Sequence, residues 1–308
     1  MVDVSTATRS VLPQNEIDRL KELGQFLQVV GDAHHLLLPE HLTMRLNVLD
    51  KIDALIGDLD LRSPNSCCGS ELIMAANSIS SQFEAANETL YKSAHAEIAL
   101  QGSSIALDRW LREPFNDGAE RPHPGLSFDL LDEIVSGVLQ FPGPGEAGLL
   151  PSREMAAYQP TPARHILALI AACRFSSDDV LVDLGSGLGH VPLLVGILAG
   201  IRTLGVEVQP DYAASAQETA RCLNLSRVQF IAEDVRKTDL SDGTVFYMFT
   251  PFTGSILADV VERLHTHSKT RQIRICTLGP CTCILQGQAW LTVDQPSDTE
   301  RIAIFRSL

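Results

Sequence analysis

Val180-Leu181-Val182-Asp183-Leu184-Gly185-Ser186-Gly187-Leu188-Gly189-His190 decides the fold. A short apolar run ends in an acid, and glycines follow at alternate positions. An apolar helix pattern over residues 191–199 comes next. Strand, tight glycine turn and helix in this order open a doubly wound nucleotide-binding sheet. Glycine in the turn lets the backbone approach a ligand closely, in dihedrals that a Cβ would forbid. A purely structural turn would read the same way, so the later strands must separate the two.

They carry acids. A dinucleotide fingerprint would read G-x-G-x-x-G, whereas the spacing here is G-x-G-x-G behind Asp183. The next strand pattern, residues 202–208, carries Glu207 near its end, where a carboxylate can accept both ribose hydroxyls of an adenosine. A third, residues 228–231, runs into Glu233-Asp234-Val235 and brings a carboxylate near the adenine amino group. A fourth, residues 244–249, ends in Thr250-Pro251-Phe252. Polar groups thus follow successive strands on the carboxyl edge, where open α/β sheets bind ligands.

On these residues the chain resembles the class I S-adenosylmethionine-dependent methyltransferases, over residues 150–308. The resemblance implies S-adenosyl-L-methionine as methyl donor, S-adenosyl-L-homocysteine as product, and no metal. It also implies roles. Asp183, Gly185, Ser186, Gly187 and Gly189 would form the methionine-side turn. Glu207 and Val208 would hold the ribose, and Glu233, Asp234 and Val235 the adenine. The end of the chain agrees. Residues 271–279 read as a fifth strand, and residues 289–293 and 301–305 as a terminal hairpin adding an antiparallel strand. A dehydrogenase would be expected to continue with a second βαβαβ half.

The fold expected is therefore α/β: a Rossmann-like sheet behind an all-α domain. The boundaries are 1–148 for a helical substrate or cover domain and 149–308 for the methyltransferase domain. Ahead of the core, residues 15–30, 39–61, 71–100 (broken once), 104–111 and 127–141 show helical spacing of apolar side chains. Such a domain usually forms the substrate side of a pocket; it would equally allow a covered sheet edge or a homodimer. No apolar run reaches the ~18 residues of a membrane span. The first residues lack a basic segment followed by an apolar one, which gives a cytoplasmic expectation. The seven cysteines form no paired C-x-x-C knuckles. Buried, reduced thiols are expected, and Cys276, Cys281 and Cys283 are too few for a metal without a fourth ligand.

Charge is unevenly placed. Residues 1–150 carry 22 acids against 10 Lys and Arg, and residues 151–308 carry 16 against 14. An acidic chain is a poor partner for phosphate backbones, so nucleic acid is not expected. Acidic surface is often only solvated helix faces; the other reading is a site that attracts a cationic substrate. If the second holds, Glu97, Asp108, Glu113, Asp117, Asp132 and Glu133 are candidates to face it.

Before the core, residues 155–162 read Met-Ala-Ala-Tyr-Gln-Pro-Thr-Pro. Thr161 is the expected N-cap of a helix over residues 163–173, with Pro162 at its first position. This segment resembles the pre-core motif of disruptor-of-telomeric-silencing-type lysine methyltransferases and of arginine methyltransferases. The likeness implies that Tyr158 and Thr161 close over the methionine end. Thr250 and Phe252 occupy the place where amino-methylating enzymes carry Asn or Asp followed by Pro-Pro-Tyr or Pro-Phe. Tyr158, Thr250 and Phe252 are thus the candidates to border the methyl group. Domain order and charge resemble bacterial enzymes that methylate the guanidine of free L-arginine. The expected reaction is N-methylation of a small cationic nitrogen compound, with a protein lysine or arginine, or an O-methylated small molecule, as alternatives.

Overall fold

The computed structural model describes residues 14–57, 67–116, 126–142, 153–293 and 298–308. Residues 117–125, the Gly143-Pro144-Gly145 stretch and most of the turn before the last strand lie outside the described residues. So do the side chains of Cys67 and Cys68. The chain divides into two compact units, Met1–Lys92 and Ser93–Leu308.

The first unit is helical. Helix α1 (Gln14–Gly31) carries Leu23, Leu27 and Val30 at i, i+4 and i+7, a stripe that must be buried. Leu23 and Leu27 pack with Ile52 of α2 (Leu42–Gly57) and Ala76 of α3 (Cys67–Gln101). The break expected in α3 does not occur, because residues 71–100 contain neither Gly nor Pro. Arg45 is fully buried on α2; its guanidinium donates to Asn87 Oδ1 at 2.7 Å and to the carbonyls of Leu36 and Leu38 at 2.5 and 2.7 Å. These bonds replace the water that burial removes.

The second unit adds α4 (Ile105–Asn116), α5 (Leu130–Leu139) and α6 (Ala163–Cys173) to a seven-stranded sheet. Its elements are β1 (Val180–Leu184), α7 (His190–Ala199), β2 (Arg202–Glu207), α8 (Pro210–Cys222), β3 (Val228–Ala232), β4 (Val245–Phe249), α9 (Gly254–Ser268), β5 (Arg274–Leu278), α10 (Cys281–Gln286), β6 (Leu291–Val293) and β7 (Ala303–Ser307). The order is β3-β2-β1-β4-β5-β7-β6, with β7 antiparallel to both neighbours. This is the Rossmann-like sheet with the terminal antiparallel hairpin that the sequence implied. β1 is buried along its length, as a central parallel strand covered on both faces should be. α9 lays Ile256, Leu257, Val260 and Leu264 against Phe246, Met248, Ile275 and Phe305.

At the sheet edge where β1 begins, one ion pair joins four elements. Arg274 donates to Asp179 Oδ1 at 2.5 Å and to Cys173 O at 2.6 Å, while Thr244 and Ser176 also donate to Asp179. Burial pushes the Asp179 carboxyl up, but Arg274, Ser176 and Thr244 outweigh it and hold the group at about 2, against an ordinary 3.8. A carboxyl depressed in the folded state stabilises the fold above its unfolded value, and that stability is lost as pH falls through the folded one. Between about pH 4 and pH 2 the fold should lose at most about 2 kcal/mol from this group. Urea midpoints measured across that range should fall less steeply in Asp179→Asn, which starts less stable at neutral pH.

Candidate active site

Parallel pairing sets the site. Asp183 lies in register with Gly205 of β2 on one side and Tyr247 of β4 on the other, so three strands end at one level. The chain then turns sharply: Gly185 and Ser186 both donate to Val206 O, at 2.8 and 3.0 Å. Gly187 donates to Glu207 Oε2 at 2.8 Å. Its φ is +53°, and a Cβ there would lie 2.3 Å from a ring carbon of Tyr158. Only glycine satisfies both constraints.

Glu207 is buried and spends its other oxygen on Gln209 N at 2.9 Å. A carboxylate has about four acceptor positions, so two remain for hydroxyl donors. Asp183 is 3% exposed and has no hydrogen bond to its carboxyl among the described residues. Burial, and then repulsion from Glu207, push its carboxyl well above the ordinary range. Ser186 Oγ is likewise buried without a partner among the described residues.

All of these border one cavity of about 520 Å³. The cavity gathers every candidate but one from the glycine turn and the three strand ends: Asp183, Gly185, Ser186, Gly187, Glu207, Val208, Glu233, Asp234 and Val235. Gly189 is the exception; it lies under the Phe230 ring and starts α7. Residues 155–161 form another wall, with Tyr158 set edge-on to Tyr212 at 5.1 Å between ring centres. Thr250 and Phe252 complete it, but the Thr250 hydroxyl donates to Leu278 O at 3.0 Å and accepts from Cys281 N at 3.1 Å. With its hydroxyl so committed and φ at +39°, Thr250 offers the cavity backbone. Asp234 is gripped by Arg236 at 2.6 Å, which holds its carboxylate at about 2.

One expectation is corrected. Thr161 does not cap α6: the residue before the helix is Pro162, with no side-chain cap, and Thr161 Oγ1 instead meets Tyr247 Oη at 3.0 Å. The first free N–H of α6, that of Ala163, is met by Asp132 Oδ1 at 2.7 Å, which frees Thr161 to turn inward.

The first-half acids are used elsewhere. Glu97 accepts from Ser104 and Ile105 at the start of α4, Asp108 pairs with Arg112, Asp132 caps helices, and Glu133 is exposed. The side chain of Glu113 and all of Asp117 lie outside the described residues. Among the described residues the acids that line the cavity are Asp183, Glu207, Glu233 and Asp234, the last paired with Arg236, and the lining includes no Lys or Arg.

The sequence reading missed His190, Tyr212 and Tyr247. His190 packs on Phe141 at 4.3 Å, and burial lowers it to about 4, so its imidazole is neutral at pH 7. Its place directly after the glycine run was an available signal. Tyr247 sat inside an apolar strand run and gave none.

The cavity fits S-adenosylmethionine. Unpaired Asp183 suits an ammonium or sulfonium, Glu207 has acceptor positions left for ribose hydroxyls, and Val235 is apolar beside Asp234. No group of three His, Cys, Asp or Glu that could hold a metal occurs among the described residues.

Comparison with known proteins bears on the same segment. Residues 155–249 match the family model for the histone methylation protein DOT1, which spans the wall segment, the glycine turn and the sheet through β4. No curated protein matches the chain. Among solved structures, an RNA methyltransferase from Salinibacter ruber, bound to S-adenosyl-L-homocysteine, is 22% identical, with 48% of this chain and 92% of that one covered and a TM-score of 0.40. A SAM-dependent methyltransferase from Aquifex aeolicus is 15% identical over 46% and 89% of the two chains, with a TM-score of 0.38. MtNAS in complex with MTA and tNA is 13% identical over 94% and 97%, with a TM-score of 0.37.

Proposed function

We propose that this chain is a class I S-adenosylmethionine-dependent methyltransferase that N-methylates a small cationic nitrogen compound in the cytoplasm, the guanidine of free L-arginine being the first candidate. The observation that carries the proposal is the acidic lining of the cavity: Asp183, Glu207, Glu233 and Asp234 border it, Asp234 paired with Arg236, and among the described residues no Lys or Arg lines it. A cationic nitrogen is attracted there, whereas a polyanionic acceptor such as a phosphate backbone finds no side-chain cation among the described lining residues. The bound cofactor supplies an activated methyl group on its sulfonium. The protein's remaining task is an approach at about 3 Å in a water-poor site. Tyr158, Tyr212, Tyr247, Phe249 and Phe252 provide the aromatic surface for it. A guanidinium also needs an acceptor to orient it, and Asp183 with the neutral His190 imidazole are the groups at hand.

The DOT1 model match favours a second reading, methylation of a protein lysine. Release of S-adenosylhomocysteine separates the two when measured against free arginine, its decarboxylated analogue, lysine, a basic peptide, small phenols, carboxylic acids and RNA. Turnover with the small cations alone is expected. Turnover with peptide alone would establish the second reading, and turnover with phenols, acids or RNA would overturn both.

A further inference from the structure

Helix α9, next to the cavity, lacks a side-chain cap of its own. Thr253 precedes α9, and its side chain makes no cap hydrogen bond. Glu154, about a hundred residues earlier in the chain, does the work: its carboxylate accepts from Ser255 N at 3.1 Å, Ser255 Oγ at 2.8 Å and Ile256 N at 3.4 Å. Three unpaired N–H groups and a partial positive charge at a helix start make this a favourable place for an anion. Gly254 is part of the fit, because its φ is +57° and a Cβ there would lie 2.3 Å from Glu154 Oε1.

The same stretch is laced to the loop after β4. Thr253 N donates to Glu154 O at 2.8 Å, Ala156 N donates to Pro251 O at 3.0 Å, and Met155 forms a β-bridge with Phe252. The other end of the stretch is fixed by Asp132 at Ala163 N and by Thr161 on Tyr247. Residues 155–161 hang between these anchors, and every one of them lines the cavity.

We infer that Glu154 is a positioning residue for the cofactor: by clasping the start of α9 it holds residues 155–161 in place as a wall of the binding cavity. It does not border the cavity itself, so it acts through Met155 and Tyr158. The inference rests on the cofactor assignment above and not on the identity of the methyl acceptor.

Calorimetric titration of the full chain with S-adenosylhomocysteine tests it, with no acceptor present. Glu154→Ala should weaken binding by about tenfold, chiefly through faster release. Glu154→Gln, which keeps one acceptor oxygen, should fall between that and wild type. At saturating donor, kcat should stay within about threefold, since the wall is in place once the cofactor is bound. Far-UV circular dichroism and the melting temperature of each variant are recorded alongside. Unchanged affinity in folded Glu154→Ala would overturn the inference, and so would equal losses of affinity in the Gln and Ala variants. Failure of wild type to bind S-adenosylhomocysteine would overturn it together with the cofactor assignment. Binding with the expected losses, but no methylation of any small cation, would leave it standing and remove the substrate proposal.

Discussion

Replacing Glu207 with alanine is expected to weaken cofactor binding by a hundredfold or more. The carboxylate does two things at once. It anchors the glycine turn through Gly187 N and the next loop through Gln209 N, and its remaining acceptor positions face the cavity. Hydrogen bonds to a charged group contribute about 1.5–3 kcal/mol each, and tenfold in affinity is about 1.4 kcal/mol. The two ribose contacts proposed for Glu207 would alone reach roughly the hundredfold mark. Titration with S-adenosylhomocysteine reads the effect directly. Glu207→Gln should recover part of it, since one oxygen still accepts. An affinity within about threefold of wild type in Glu207→Ala would show that the ribose is held elsewhere.

The second large effect is expected at Gly187. A side chain there meets two separate obstacles: a left-handed backbone at φ +53°, and the Tyr158 ring 2.3 Å from the new Cβ. The first costs about 1–2 kcal/mol for a residue with a Cβ. The second must push Tyr158 out of its place against Tyr212, and with it the wall that residues 155–161 form. Gly187→Ala should therefore lose cofactor binding by more than the strain alone explains. Gly200→Ala is the matched control, since Gly200 has φ +67° with nothing within 4 Å of a Cβ. It should cost stability of the order of the backbone strain and leave binding intact. In a Tyr158→Ala background, Gly187→Ala should do less additional damage to binding than it does alone. Additive losses would mean that the ring and the turn are not coupled.

What could be read in the sequence, and what could not, follows from the range of the interactions. The β1–turn–α7 unit was legible because its signals are contiguous: an apolar run, an acid, alternating glycines and an apolar helix. The acids at the end of β2 and just after β3 were legible because parallel strands bring their carboxyl ends to one edge. The terminal hairpin showed as two β-rich runs. The caps of α6 and α9 were not legible. Capping rules look a few residues along the chain, so Thr161 was the natural candidate for α6. The actual partners, Asp132 for α6 and Glu154 for α9, come from distant segments. Net charge also misdirected. The first half holds the excess of acid, yet among the described residues those acids cap helices or face solvent, and the cavity draws its charge from the core. Tyr247 was hidden because burial of a strand favours an apolar reading of every residue in it, and only the register with Asp183 brings it to the site.

The most direct test of methyl transfer to a cationic nitrogen uses S-adenosylmethionine labelled with deuterium in the methyl group. The protein is incubated with free L-arginine and with lysine, and the acceptors are analysed by mass spectrometry with fragmentation. The expected product carries one labelled methyl on a side-chain nitrogen, in proportion to the S-adenosylhomocysteine formed. Donor consumed with no labelled acceptor, or label found on oxygen, would contradict it.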